Sequence, residues 1–265
     1  MILDSIRLQI GIVRALAFRD QRERISKSPF GAPGLLLEPL LFVVIILILR
    51  LLLRVREIEF MNPVLWLASG FVVYYLFTKI AIKALTGIAR SQRLADLRRI
   101  RPLDFLIAGA VVELQIYGTC LFFVVLAVSL FQWQILVADP GAAVLLFLLV
   151  AVTALGVGLT SLIVGHRFKV FKFVVEVVIK QLLLWTSGLF YVPAMLPDNA
   201  RALLLWNPLL HGIELFRHAM QPTYPIPGIS LSYLLIWAFV SLGFSMLSYG
   251  NNEQLLAADE PRDES

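Results

Sequence analysis

Residues 203–222 read LLLWNPLLHGIELFRHAMQP, and this stretch decides the fold. It lies between two apolar runs long enough to cross a bilayer, yet is itself too short and too polar to cross one. Asn207 and Pro208 break a helix that starts near Arg201, because proline lacks the amide proton and drives the residue before it out of the helical region. A second helical pattern begins at Leu209 and stops before Pro222. Two short amphipathic pieces joined at Asn-Pro predict a re-entrant hairpin, over about 195–222, that dips into a membrane and returns. Non-helical backbone at that depth survives only where protein buries it or where it lines a watery cavity. The stretch therefore predicts a gate above a pore, built from Trp206, Asn207, Pro208, His211, Glu214 and Arg217.

Working outward, the remaining composition fits a bilayer. Of the 265 residues, 59% are hydrophobic and 15% charged, against about 45–50% and about 25% in soluble domains. Mean hydropathy is +0.84. The single cysteine, Cys120, lies in an apolar run, which excludes an intramolecular disulfide and a multi-cysteine metal site. The first thirty residues lack the compact apolar core of a cleavable signal, so the first span is expected to do the targeting.

The expected fold class is all-α and integral to the membrane: six transmembrane helices, an N-terminal amphipathic interfacial helix and the hairpin before the last span. Leu3, Ile6, Ile10, Val13 and Ala17 recur at helical steps. With Arg19, Arg22, Arg24 and Lys27 following, residues 1–34 read as a basic helix lying on the cytoplasmic surface. A permease domain is expected over 35–249, and 250–265 form a tail. Spans are expected near 35–53, 63–89, 103–131, 142–165, 173–192 and 229–249. Ala154, Gly156, Gly158, Ser161 and Gly165 line the fourth with small residues, which favours close helix packing.

Basic residues set the orientation. Arg7, Arg14, Arg19, Arg22, Arg24 and Lys27 precede span one; Arg90, Arg93, Arg98, Arg99 and Arg101 follow span two; Arg167, Lys169 and Lys172 follow span four. The opposite side holds Arg50, Arg54, Arg56, Arg201 and Arg217. Fourteen against five predicts cytoplasmic N- and C-termini. Trp66, Trp133 and Trp206 then fall at the outer boundary, where aromatic belts form.

Two features carry candidate function. In the loop RSQRLADLRRIRPLD, residues 90–104, Leu94, Leu97 and Ile100 form an apolar edge among charges that include Arg93 and Asp96. It has the shape of a helix that docks into a partner's groove, and equally of a solvated positive-inside loop. In span two, Lys79, Lys83 and Arg90 fall on one helix face; span five carries Lys169, Lys172 and Lys180, with Glu176 placed to pair with Lys180. Intramembrane lysines face an interior or snorkel to an edge. Lining an interior, they make a cationic path for an anion, flanked by the rings of Tyr74 and Tyr75, which are equally able to pack between helices. Glu113 in span three is a lone intramembrane acid, placed to pair with a span-two lysine or to relay protons.

Enzyme chemistry has little to stand on. His211, Glu214 and His218 share one helix face and are capable zinc ligands, but no Asp or Cys nearby completes a shell, and a polar outer face accounts for them. No catalytic residue and no metal are assigned. No GxxxxGK[ST] stretch occurs, so any ATP is bound by another chain.

The wording LLWNPLLHGIEL, with Arg217, Met220 and Pro222 after it, resembles the permease subunits of type-2 ABC exporters, nearest the capsule polysaccharide branch. RPLD at 101–104 and LLLEPLLF at 35–42 are similar to the same family. The resemblance covers almost the whole chain. It implies a homodimer joined by two nucleotide-binding ATPase subunits, which hold ATP and magnesium, so that this chain has no cofactor of its own. It also implies that the 90–101 segment is the coupling helix, and that the cargo is a lipid-linked, often acidic, polysaccharide crossing a bacterial inner membrane. A periplasmic adaptor or co-polymerase is expected, and no nucleic acid. An efflux permease for small amphiphiles and an intramembrane lipid- or glycan-modifying enzyme are the alternatives.

Overall fold

The computed structural model describes residues 2–52, 60–86, 102–133, 137–167 and 169–257. The docking loop at 90–101, with Arg90, Arg93, Leu94, Asp96, Leu97 and Ile100, lies outside the described residues, as does the end of the tail. Every regular element among the described residues is helical.

Helix α1 (Ile2–Lys27) is followed by α2 (Gly34–Leu52) and α3 (Pro63–Thr86). Then come α4 (Pro102–Gln132) and α5 (Pro140–Arg167). The next run is α6 (Lys169–Val177), a widened π turn (Val178–Leu182) and α7 (Leu183–Thr186). A 3-10 turn (Pro193–Met195) leads to α8 (Asp198–Leu204), α9 (Pro208–Met220) and α10 (Leu231–Ala257). Proline opens α3, α4, α5 and α9, where its missing amide proton costs nothing.

Among the described residues four helices are long and apolar enough to cross a membrane: α3, α4, α5 and α10. The places expected for the first and fifth spans are taken by α2 and by the run from 169 to 186. That run stops at Thr186, short of the expected 192, because Ser187 leaves helical geometry and Gly188 takes a φ of +70°.

The bundle is organised around α3. In its apolar window 83% of positions are buried, against 22% in α10, so α3 is central and α10 peripheral. Leu65, Phe71, Leu76, Phe77 and Ile80 pack it against α5, α9 and the π turn in one continuous core. Small residues set the closest approach, as their spacing predicts. A Cβ on Gly158 would stand 2.5 Å from the Ala81 carbonyl of α3, and one on Gly156 would meet the α10 backbone at Leu242 at 2.7 Å. Outward, α4 exposes Phe122, Leu126 and Leu130, and α10 exposes Ile236, Phe239, Val240 and Leu247. Such apolar surface needs lipid or another chain to cover it.

Helix α1 packs on α4 through a separate small cluster: Leu16 and Ala17 against Ala108, Val112 and Ile116. This differs from the expected stripe. Ala17 is inside, but Ile10 is 62% exposed. The side of α1 turned to the bundle is chosen by α4 and by charge pairing rather than by apolar spacing alone.

Candidate functional site

The Asn-Pro break is where the sequence places it. Asn207 is extended, with φ −82° and ψ 112°, as a residue before proline must be. Its side-chain oxygen accepts from the Leu209 amide at 2.9 Å and caps α9. Its amide nitrogen donates to Thr186 Oγ1 at 3.0 Å and Ser187 Oγ at 2.9 Å. The break between α8 and α9 is thereby tied to the end of α7.

The inner face of α9 is charged and fully buried, which corrects the reading of His211 and Glu214 as an outer polar face. Arg217 Nη1 donates to Glu214 Oε1 at 2.7 Å and to the Gly188 carbonyl at 2.8 Å; Nη2 donates to the Trp66 carbonyl at 3.2 Å. The guanidinium carbon stands 4.2 Å from the centre of the Trp66 ring, a desolvated cation–π contact worth about 2 kcal/mol. Gly70, one turn along α3, makes room for it: a Cβ there would collide with Arg217 Nη2. The Tyr224 hydroxyl donates to Glu214 Oε1 at 3.3 Å and accepts from Trp66 Nε1 at 3.2 Å. Burial pushes the Tyr224 hydroxyl up to about 12, so it stays a donor. Burial also pushes the Glu214 carboxyl up, against the pull of Arg217 and Tyr224. Among the described residues Glu214 Oε2 and Arg217 Nε find no hydrogen-bond partner. A buried pair left partly unsatisfied is a positioning device more than a source of stability.

His211 does not offer a metal ligand. Its Nδ1 accepts from the Ser230 amide at 2.9 Å, so Nε2 carries the proton and donates to the Leu205 carbonyl at 2.8 Å. Burial lowers its pKa and keeps the ring neutral. His218 meets the Tyr224 carbonyl at 2.9 Å. Helix α9 is held at its other end by backbone bonds from Ala138 and Asp139 to Met220 and Ala219, each 3.0 Å. All these anchors come from one end of the bundle. Trp66 belongs to them, and is not a belt residue: it is 3% exposed, whereas Trp206 is half-exposed and Trp133 almost fully exposed.

Towards the other end, α1, α3, α4 and the π turn enclose a cavity of about 920 Å3. It gathers five residues predicted for a substrate path: Tyr74, Tyr75, Lys79, Lys83 and Lys180. Tyr74 is buried; its hydroxyl donates to the Lys180 carbonyl at 2.7 Å and pins the widened turn to α3. Tyr75 stacks on Tyr117, with ring centres 6.3 Å apart. Lys180 pairs with Glu176, as their spacing predicts. Glu113 does pair with a lysine of the second expected span, Lys83 at 3.8 Å, but its nearer partner is Arg24 of α1. Arg24 is therefore turned into the bundle. Lys83 also donates to Asp20 at 2.7 Å.

Sequence reasoning missed the Arg217–Glu214 pair and the roles of Asp20 and Arg24. The ExxR step at 214–217 is a local signal of the first. The second joins residues far apart in the chain and has no local signal.

With this geometry in hand, likeness to known proteins places the chain. The ABC-2 type transporter family matches residues 13–221. The polysialic acid transport protein KpsM of Escherichia coli is 28% identical over 244 residues, covering 92% of this chain and 94% of that one. The capsule polysaccharide export inner-membrane protein BexB of Haemophilus influenzae is 24% identical over 245 residues, 92% of each chain. Its counterpart CtrC of Neisseria meningitidis serogroup A is 26% identical over 215 residues, 81% of each. The chain belongs to the ABC-2 type transporter family, as a transport permease subunit and not an enzyme.

Proposed function

We propose that this chain is the membrane-spanning permease of an ATP-driven exporter that moves an acidic, lipid-linked capsular polysaccharide across a bacterial inner membrane. The observation that carries the reading is likeness, over 81–92% of the chain, to proteins named for capsule polysaccharide export or polysialic acid transport. The cavity supports it: among the described residues that line it, Arg24, Lys79, Lys83 and Lys180 outnumber Asp20 and Glu113, and Lys180 also pairs with Glu176. A surplus of positive charge suits a polyanion and not the small amphiphiles of an efflux permease, for which an apolar seam is expected.

Two copies assemble with two ATPase subunits, which bind ATP and magnesium. Six spans keep both termini cytoplasmic, α1 lies at the cytoplasmic surface, and the 90–101 segment is gripped by the ATPase. Closure of the ATPase dimer moves that segment and opens the seam between the two permeases. Helices α8 and α9 form the re-entrant gate on the far side, held to α3 through Arg217 and Trp66. A periplasmic adaptor receives the polymer.

Deleting the gene and measuring acidic polymer outside and inside the cell tests this reading. The expected result is loss of surface polymer with accumulation inside, reversed by a plasmid copy. Unchanged surface polymer in the deletion strain contradicts it.

A further inference from the structure

Two carboxylates on the wall of a cavity meant for polyanions need explaining. Asp20 and Glu113 each oppose transport of negative charge, yet both face the cations best placed to meet it. Lys83 Nζ is 2.7 Å from Asp20 and 3.8 Å from Glu113; Arg24 Nε is 3.4 Å from Asp20, and its Nη2 contacts Glu113. Gly109 is the groove along which the Lys83 stem runs: a Cβ there would stand 2.6 Å from Lys83 Cε. The four charges join α1 to α3 and α4. Only Glu113 is deeply buried; Asp20, Arg24 and Lys83 keep 20–30% of their side-chain surface exposed. The cluster is therefore reachable from the cavity.

The element that supplies half of it packs on one main neighbour, α4. Helix α1 contributes Leu16 and Ala17 to the small cluster with Ala108, Val112 and Ile116, and among the described residues it adds none to the main core. A Gln9–Asp104 hydrogen bond adds one further contact. Elements with few buried apolar contacts are the ones that open locally.

We infer that Asp20 is a built-in counter-ion that occupies Lys83 until an anionic polymer displaces it, so that α1 plugs the cavity and selects against neutral chains. The inference rests on the cavity being the substrate path. A carboxylate or phosphate on the cargo replaces Asp20 as the partner of Lys83, and α1 leaves with its own charges. A neutral chain offers no replacement, so the pairs stay closed. Discrimination thus comes from the cost of breaking internal pairs as well as from attraction to the cargo.

The test uses the complete transporter, with its ATPase subunits, in lipid nanodiscs. The probes are a fluorescent oligosaccharide with one carboxylate per sugar and a neutral one of equal length. Asp20→Asn should strengthen binding of the acidic probe about two- to fivefold, the range of a partly exposed ion pair, and leave the neutral probe unchanged. Lys83→Gln should weaken acidic binding, and Asp20→Asn combined with Lys83→Gln should show no gain. If Lys83→Gln weakens binding but Asp20→Asn does not strengthen it, the counter-ion role is wrong and the path reading stands. If neither Lys83→Gln nor Lys79→Gln alters binding, the cavity is not the path and both fall. As a second measurement, cysteines at Leu16 and Val112 are oxidised to link α1 to α4. Acidic binding should fall at least about fivefold, a loss near 1 kcal/mol, and return on reduction. Unchanged binding in the linked form overturns the plug.

Discussion

The Arg217 guanidinium sits over the Trp66 ring and donates to the Trp66 carbonyl, joining α9 to α3 across 151 positions of chain. Both side chains are buried, and the contact exists only because Gly70 leaves space beside Trp66. It fixes the height of the short helices against the central helix of the bundle.

Removing Arg217 alone should be severe. Arg217→Met leaves the Glu214 carboxylate buried without its partner, at a cost of about 3–5 kcal/mol. Thermal unfolding in detergent should show a large drop, and most of it should return in the double variant with Glu214→Gln. Arg217→Lys should not rescue, since an ammonium cannot reach Gly188, Glu214 and Trp66 as a planar fork does. Normal stability of Arg217→Met would show that the pair does not anchor the gate.

Glycines on α5 and α10 should separate sharply. Gly158→Ala drives a methyl into the Ala81 carbonyl of α3 and should cost about 1–3 kcal/mol. Gly243→Ala has nothing within 4 Å and should be neutral, or stabilising by up to about 1 kcal/mol through helix propensity. Detergent melting curves of the two variants check the pair, and equal behaviour would place the α3–α5 contact elsewhere.

Orientation can be read by labelling. Cysteines at Ala138 and Asp198, both exposed, should react with an impermeant maleimide added to intact cells, and one at Ser91 should not. The native Cys120 is buried and gives little background. Labelling at Ser91 would overturn the six-span arrangement.

The helix break at Asn207 was legible because its signals are local. Asn-Pro breaks a helix wherever it falls, and the Asn207 cap on Leu209 spans two residues. The places of the four helices long enough to cross followed from apolar length for the same reason; the helical run expected to reach 192 stops at Thr186, where Gly188 adopts a left-handed turn inside an otherwise apolar run. What α9 buries was not legible. Helical periodicity assigns polar residues to the outer face, and nothing near His211 or Glu214 announces that Ser230 and Leu205 will satisfy the first and Arg217 and Tyr224 the second. Arg24 shows the same limit from the other side: an arginine in a basic block reads as part of a surface helix until Glu113, 89 positions later, is seen beside it.

Coupling to the ATPase is tested at Leu97. Leu97→Asp puts a charge on the apolar edge that a partner groove must desolvate. The variant should insert normally yet lose surface polymer, and co-purification of the ATPase should fall sharply. Unchanged association would make the 90–101 segment an ordinary basic loop.

The most direct measurement is transport itself. The purified permease and its ATPase are reconstituted in liposomes carrying lipid-linked acidic polymer on the outer, ATP-accessible leaflet, and polymer protected inside is counted. The account predicts ATP-dependent transfer that Lys79→Gln reduces several-fold at equal folded protein and that Lys79→Arg largely keeps, because a weakly specific track needs charge and not ammonium geometry. Adding Glu113→Gln to Lys79→Gln should not restore transfer, since Glu113 pairs with Arg24 and Lys83. Transfer without ATP, or equal transfer by Lys79→Gln, would contradict the account.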